Sequence, residues 1–258
     1  MTAPRVIVTR PAREAARWTE SLRAAGLDAQ ALPLIAIAPV ADATKLRAAR
    51  QSLDHYAALM FVSAAAAEHF FDDDAGAIAP TLCSRCWATG PGTMRALQQA
   101  GVPSSAIDAP AADAAQLDSE ALWARVHGQV HAGVRVLIVR GGDAAGQPAG
   151  RAWLAREIAA AGGACDTVVA YRRLPAPLDD AARALAGEGA RGEAIWLFSS
   201  AEAIARLRAA LPGTLWTSAR AIATHPRIAE AAQDAGFGTV RVSSPALAAL
   251  VASIESFA

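Results

Sequence analysis

RVIVTR (residues 5–10) returns as RVLIVR (residues 135–140), an offset of 130 residues, and three further blocks recur at nearly the same distance. The segment that ends at Pro39 matches one that ends at Pro175. MFVSA (60–64) matches LFSSA (197–201), and ATGPGT (88–93) matches ATHPRI (223–228). Four blocks in the same order and at near-constant offset indicate a duplicated unit of about half the chain.

Short apolar runs alternate with helical patterns along the whole chain. RVIVTR, ALMFVS (58–63), VRVLIVR (134–140) and AIWLFSS (194–200) have the composition of buried parallel strands. The segments 14–25 and 151–161 place apolar residues on one face and end at glycine, as amphipathic helices do. The pattern predicts an α/β protein made of two similar three-layer domains with parallel sheets.

Proline-bounded extended stretches divide the chain at two points. Prolines within or beside strands favour edges or linkers, so we expect linker strands at 32–40 and 168–177. A discontinuous domain would then contain 1–36 and 174–258, and a continuous domain would contain 40–170. Ligands of α/β proteins bind in interdomain clefts and at the carboxyl ends of parallel strands, so a ligand cleft between the two domains is expected.

Composition excludes several classes of function. The 258 residues contain 24 Lys and Arg against 24 Asp and Glu, which argues against general nucleic-acid binding. No apolar run approaches a membrane span, and the start MTAPRVIVTRP has no signal-peptide pattern, so we expect a cytoplasmic protein without membrane contact. The three cysteines fit a reducing compartment. Cys83 and Cys86 form a lone CxxC, which predicts ordinary thiols rather than zinc ligands.

Hydroxyl and basic side chains follow the apolar strands, each just before a predicted helix. Helix N-termini offer backbone N–H groups and a positive dipole end, which suit a ligand with several anionic groups. Each serine or threonine could equally be an ordinary N-cap, and each arginine could be solvated. Their recurrence in both halves favours binding. The predicted substrate-binding residues are Arg10, Ser63, Thr93, Arg140, Ser199, Ser200, His225 and Arg227.

Conventional nucleotide, metal and hydrolase motifs are missing from the sequence. GPGTMR (90–95) has Arg95 where a dinucleotide fingerprint needs its third glycine, and there is no GxxxxGK[ST] loop. The five histidines show no metal-ligand spacing, so no metal is expected, and no GxSxG elbow occurs. The acidic run Asp72–Asp74 is interpreted as a solvated loop.

An ordered set of short motifs resembles the uroporphyrinogen-III synthase family over nearly the full length. The motifs are VIVTRP (6–11), FVSAAA (61–66), WATGPGT (87–93), DSEAL (118–122), VLIVRG (136–141), GR at Gly150, GA at Gly163, YRR (171–173), FSSAEA (198–203) and HPRIAEAA (225–232). Many members carry a hydroxyl residue after Gly-Pro in the C-terminal turn, where this chain has Arg227 and Ile228. Hydroxyl contacts at that turn are therefore not carried over.

The resemblance implies a monomeric, cofactor-free lyase of tetrapyrrole (haem) biosynthesis, built of two α/β domains with a two-stranded linker. Its substrate would be hydroxymethylbilane, a linear tetrapyrrole with eight carboxylates. The enzyme would close it to uroporphyrinogen III, with loss of water and inversion of ring D through a spiro intermediate. The resemblance also implies Tyr171 as the catalytic group near the departing hydroxyl, and transient contact with hydroxymethylbilane synthase.

Two alternatives remain open from the residues. A two-domain cleft protein could bind a small polyanion without chemistry, since the strand-end turns need only bind. A nucleotide-dependent enzyme would instead bind NAD or ATP. The tyrosine of the predicted second linker favours the synthase over the binding protein.

Overall fold

The computed structural model describes residues 5–72, 82–111 and 117–257. Asp72 is exposed, whereas Asp73 and Asp74 of the acidic run lie outside the described residues. The strands are β1 (Arg5–Val8), β2 (Ala29–Ala31), β3 (Ile35–Pro39), β4 (Ala58–Phe61), β5 (Arg85–Ala88), β6 (Ile107–Asp108), β7 (Arg135–Gly142), β8 (Ala164–Pro175), β9 (Ala194–Phe198), β10 (Arg220–Ala223) and β11 (Thr239–Val242). The α-helices are α1 (Ala12–Ala24), α2 (Thr44–Gln51), α3 (Ala64–Phe71), α4 (Pro91–Gln99), α5 (Ser119–Val126), α6 (Trp153–Ala160), α7 (Asp180–Ala190), α8 (Ala201–Ala210), α9 (Pro226–Asp234) and α10 (Leu247–Glu255).

The chain divides into two compact units, each with its own sheet. The discontinuous unit comprises Met1–Ala36 and Pro175–Ala258, and the continuous unit comprises Ile37–Leu174. The discontinuous unit holds a five-stranded parallel sheet of order β11-β10-β9-β1-β2. The continuous unit holds a sheet of order β3-β8-β7-β4-β5-β6, in which the strands from β8 to β6 are parallel. The expected α/β fold with parallel sheets is confirmed.

The two sheets correspond strand by strand, as the sequence repeat requires. β1 matches β7, β9 matches β4 and β10 matches β5, so the order β11-β10-β9-β1-β2 mirrors β6-β5-β4-β7-β8. The first repeat supplies β1 and β2 to the discontinuous unit and β4 to β6 to the continuous unit. The second repeat supplies β7 and β8 to the continuous unit and β9 to β11 to the discontinuous one. Each sheet is thus assembled from both repeats.

Alternating side chains on the central strands build apolar cores on both faces of the six-stranded sheet. Leu59 and Phe61 of β4 pack in a cluster with Phe70 of α3, whereas Met60 packs in a second cluster with Leu122 of α5. Successive residues of a strand point to opposite faces, so helices cover both sides. The continuous unit therefore has three layers.

The five-stranded sheet is covered in the same way. Val6 and Val8 share a buried cluster with Leu22 of α1 and Leu250 of α10. On the other face, the ring of Trp196 stacks on Phe198 at 5.6 Å, and Trp216 and Phe237 pack edge-on against Trp196. Burial of such aromatic rings is a main source of core stability.

Two neighbouring strands carry the chain from one unit to the other. β3 contains the boundary at 36/37 and β8 contains the boundary at 174/175, and the two strands are adjacent at the edge of the six-stranded sheet. The Arg172 side chain donates to the carbonyl of Pro39 at 3.1 Å. β8 begins at Ala164, earlier than the predicted linker, because its first half pairs with β7 as a regular sheet strand.

Candidate active site

The predicted binding residues lie where parallel strands end and helices begin, in a separate group in each unit. In the discontinuous unit, Arg10, Ser199, Ser200, His225 and Arg227 follow β1, β9 and β10, which are adjacent strands. In the continuous unit, Ser63, Thr93, Arg140 and Tyr171 lie at the ends of β4, β5, β7 and in β8. The carboxyl edge of each sheet thus collects one set of polar side chains.

Three of these side chains cap helices. The hydroxyl of Ser63 accepts a hydrogen bond from the N–H of Ala66 at 3.1 Å, and that of Ser200 accepts from Glu202 at 3.2 Å. Nδ1 of His225 accepts from the N–H of Arg227 at 3.1 Å. A serine that caps through a lone pair keeps its own proton for a second partner, so capping and ligand binding are compatible at Ser63 and Ser200.

A β-bulge sets the direction of Tyr171. Arg140 of β7 is paired with Val169, but Gly141 is paired with Tyr171, so Ala170 is an extra residue in β8. Strict alternation would place Ala170 and Tyr171 on opposite faces. The bulge instead buries both in the cluster beneath α3, and bulges commonly redirect a side chain in this way.

The Tyr171 side chain is closely packed. It is 4% exposed, its hydroxyl lies 3.2 Å from the Ser63 hydroxyl, and its ring lies against the His69 imidazole with centroids 5.8 Å apart. A Cβ atom added to Gly141 would lie 2.7 Å from the tyrosine oxygen. The ring therefore packs directly against the backbone of Gly141, in a slot that only glycine leaves open.

The GPG turn is joined to the end of β4. Thr89, just before the turn, donates its hydroxyl proton to the carbonyl of Val62 at 3.2 Å. Its oxygen lies 3.4 Å from the hydroxyl of Thr93, which is buried. In the other unit, the hydroxyl of Thr9 after β1 donates to the carbonyl of Leu197 in β9 at 2.8 Å. These threonines fasten neighbouring strand ends together, which fixes the geometry of each group.

Arg140 is a buried cation at the end of β7. Its residue is 9% exposed, and both of its terminal nitrogens lie 3.3 Å from the carbonyl oxygen of Arg151. Burial lowers the pKa of the Arg140 guanidinium, and the positive charge of Arg173 lowers that pKa further. The positive charge of Arg140 lies close enough to Tyr171 for the two to interact electrostatically.

Arg10 is the equivalent residue in the discontinuous unit, and it has internal partners. Its guanidinium donates to the Glu14 carboxylate at 2.6 Å and lies 4.0 Å from the centre of the Trp18 ring. Burial lowers the pKa of Arg10 as well, and the Glu14 charge opposes that effect. The substrate-binding role of Arg10 stays a prediction.

Three residues near Tyr171 were not selected from the sequence. His69 packs against the phenol ring, Gly141 forms the slot, and Arg173 lies close to Arg140. Arg173 belongs to the YRR motif and Gly141 to VLIVRG, so both could have been found there. No sequence signal singles out His69.

One pocket lies away from these side chains. It encloses about 280 Å³ at the amino-terminal edge of the six-stranded sheet, and Arg85, Trp87 and Gln129 contribute to its lining. The Trp87 indole N–H donates to Gln129, whose amide donates to Asp108, so these polar groups bond to one another. None of the predicted site residues lines this pocket.

Metal and membrane features are lacking in the part of the chain that the structure describes. No group of three or more His, Cys, Asp or Glu side chains there is placed to hold a metal ion. Cys83 is exposed and Cys86 is buried in β5, where burial raises the pKa of the Cys86 thiol to about 12. Among the described helices none combines the length and apolarity needed to cross a membrane.

Comparison with known proteins identifies the family of the chain. The family model described as HEM4, uroporphyrinogen-III synthase HemD, matches residues 16–252. No curated protein matches the chain. The uroporphyrinogen-III synthetase structure from Helicobacter pylori is 14% identical with a TM-score of 0.63, over 99% of this chain and 100% of that one. A mutant uroporphyrinogen III synthase from the extremely thermophilic bacterium Thermus thermophilus is 17% identical with a TM-score of 0.55, over 98% of each chain.

The two structures support the shared fold, while the family model covers most of the sequence itself. The chain therefore belongs to the uroporphyrinogen-III synthase family.

Proposed function

We propose that Tyr171 donates the hydrogen bond that allows the hydroxyl group of hydroxymethylbilane to depart. Membership of the family makes the protein a lyase: it closes hydroxymethylbilane to uroporphyrinogen III, with loss of water and inversion of ring D through a spiro intermediate. The proposal concerns which residues of this chain perform that reaction and where the substrate binds.

The observation that carries the proposal is the contact between Tyr171 and Ser63. The Ser63 oxygen already accepts the N–H of Ala66, so its proton can be donated to the tyrosine oxygen 3.2 Å away. The phenol proton is then directed away from Ser63. In this arrangement Tyr171 acts as a donor whose oxygen is itself polarised by a second hydroxyl, which strengthens its hydrogen bond.

The reaction needs a hydrogen-bond donor at the departing hydroxyl group and a substrate held in the right conformation. An electron-rich pyrrole expels hydroxide once the departing oxygen is hydrogen-bonded or protonated, and an azafulvene cation results. Attack by the substituted carbon of the terminal ring gives the spiro intermediate, which fragments and closes the other way. A positioned acid typically contributes about 10²–10⁴-fold to such a step. Holding the flexible substrate curled contributes through proximity.

The substrate's carboxylates are proposed to bind at the helix N-termini of both units. In the continuous unit the proposed contacts are Ser63, Thr93 and Arg140; in the discontinuous unit they are Ser199, Ser200, His225 and Arg227. Support comes from the positive dipole ends at the N-termini of α3, α4, α8 and α9, which favour anions.

We also propose that the enzyme is a cytoplasmic monomer that receives its substrate from hydroxymethylbilane synthase by transient contact. Hydroxymethylbilane closes without assistance to the uninverted type I isomer. Rapid transfer would limit that loss, which supports contact between the two enzymes.

The direct test is incubation of the protein with freshly made hydroxymethylbilane, followed by oxidation and separation of the uroporphyrin isomers. The expected product is the type III isomer, with type I in a control that contains heat-denatured protein. Type I alone in both samples would reject catalysis and leave a protein that only binds polyanions.

A further inference from the structure

We infer that Arg140 binds one carboxylate of the substrate beside Tyr171, and that its equivalent in the other repeat, Arg10, serves the fold instead. The inference deepens the proposed function, on which it rests for the identity of the ligand. The two arginines are equivalent in the sequence repeat, and we assign a different role to each.

Arg10 and Arg140 occupy the same position in RVIVTR and RVLIVR, but their surroundings differ. Glu14, four residues after Arg10, forms an ion pair with the Arg10 guanidinium at 2.6 Å. The same guanidinium also lies over the ring of Trp18. The residue four places after Arg140 is Ala144. The charge of Arg10 is therefore compensated by a carboxylate of the following helix, α1, and that of Arg140 is not.

The uncompensated charge of Arg140 is unusual for its depth. Over residues 5–72, 82–111 and 117–257 no carboxylate forms an ion pair with Arg140, and its buried Nε has no hydrogen-bond partner. A buried cation without a carboxylate costs folding free energy, and such groups are normally paired. A guanidinium offers five N–H donors that match a carboxylate in a two-bond fork, so an anionic ligand group would supply the missing partner.

The segment after β7 fixes the position of the Arg140 guanidinium. Pro148 pairs back onto Gly142, and the side chain of Asp143 accepts the N–H of Gln147 at 2.9 Å. Gly150 then lies so close that a Cβ there would be 2.6 Å from a terminal nitrogen of Arg140. The next residue, Arg151, is fixed by Glu120 at 2.8 Å and presents its carbonyl to Arg140. The side chain is thus preorganised, which reduces the entropy cost of binding.

The reaction supplies a further reason for a carboxylate at this place. A bare guanidinium beside Tyr171 would repel the azafulvene cation that forms when hydroxide leaves, and the repulsion is strong where water is excluded. A carboxylate bound to Arg140 cancels that charge. The same pair would hold the reacting ring near the tyrosine hydroxyl.

The experiment compares R140Q with R135Q in binding uroporphyrin III, a stable octacarboxylate, by fluorescence titration. Arg135 lies on the same strand at its other end, where it pairs with Asp166 at 2.6 Å. We expect R140Q to lose about 10-fold or more in affinity, since hydrogen bonds to charged groups are the strong ones, while R135Q binds as the wild type does. The unliganded melting temperature of R140Q should equal or exceed that of the wild type, because an unpaired buried charge has been removed.

Wild-type affinity in R140Q, or absence of uroporphyrin binding by the wild-type protein, would overturn the inference. If R140Q does not fold, R140K replaces it: lysine keeps the charge without the fork and should bind several-fold more weakly, and wild-type affinity in R140K would contradict the inference. Arg140-dependent binding in a protein that makes only the type I isomer would support this inference and reject the proposed function, so the two failures are distinguishable.

Discussion

At the scale of single residues, one inserted residue sets the direction of the Tyr171 side chain. Ala170 is the extra residue of the bulge in β8. It brings Tyr171 to the face of the sheet where Ser63 lies, just after the end of β4. Without the bulge the phenol would point to the opposite face of the sheet, away from α3. The glycine at position 141 is needed for the same reason, because the ring lies directly against its backbone.

Substitution of Gly141 by alanine should displace the Tyr171 ring. The added Cβ would lie 2.7 Å from the phenol oxygen, so the ring has to leave the position that it holds in the structure. A displacement of about 1 Å at a reacting group can cost about 100-fold in rate, and we expect turnover to fall by that order. Steady-state turnover of G141A measures the effect, with circular dichroism as the check on folding.

Gly128→Ala is the matched control, because a Cβ at that position meets nothing within 4 Å. G128A should turn over substrate like the wild type. Unchanged turnover in G141A would mean that the position of Tyr171 is not critical.

At the scale of elements, an ion pair ties the short edge strand β6 to β5. Arg85 of β5 donates to both carboxylate oxygens of Asp108 of β6, at 2.8 and 2.7 Å, and Gln129 donates to Asp108 at 3.1 Å. β6 has two residues, so its backbone pairing alone is weak. The side-chain bonds compensate for the short ladder.

Because of this ion pair, we expect the stability of the fold to decrease at acidic pH. Burial alone would raise the pKa of Asp108, but hydrogen bonds from Arg85 and Gln129 outweigh burial and hold that pKa below its ordinary value. A lowered carboxyl pKa stabilises the fold above the unfolded-state pKa of about 4, and the stabilisation is lost as pH falls through the folded-state value. Asp108→Asn should lower the free energy of unfolding by about 1–3 kcal/mol at pH 7.

Urea unfolding at pH 7 and at about pH 3 measures the difference between the wild type and D108N. The gap between the two proteins should narrow at the lower pH, where protonation of Asp108 removes the charge that the substitution also removes. A gap of equal size at both pH values would show that the carboxylate charge has no part in the stability.

At the scale of the whole molecule, the duplication explains what could be predicted from sequence. The order of four repeated blocks was enough to predict two parallel α/β sheets, because strand ends, helix caps and glycine stops each have local sequence signals. The correspondence of sheet orders follows from the same repeat. These features are determined by residues close together in the chain.

The details of the site depend on contacts between distant residues, and sequence patterns do not encode those. The bulge at Ala170 depends on how β8 meets β7, and the packing of His69 against Tyr171 joins residues about a hundred positions apart. The divergence of Arg10 and Arg140 is an intermediate case. Glu14, at four residues from Arg10, was visible in the sequence as an ion-pair spacing, whereas the burial of Arg140 under Gly150 was not.

Tyr171 is proposed to assist departure of the hydroxyl group, and the chain provides its own control because it contains two tyrosines. Tyr56 donates to Asp166 at 3.0 Å, at the amino-terminal side of the same sheet. The deciding measurement is turnover of hydroxymethylbilane to the type III isomer by Y171F and Y56F. We expect a loss of about 100-fold in Y171F with the fold intact, and wild-type turnover in Y56F. Wild-type turnover in Y171F would contradict the proposal.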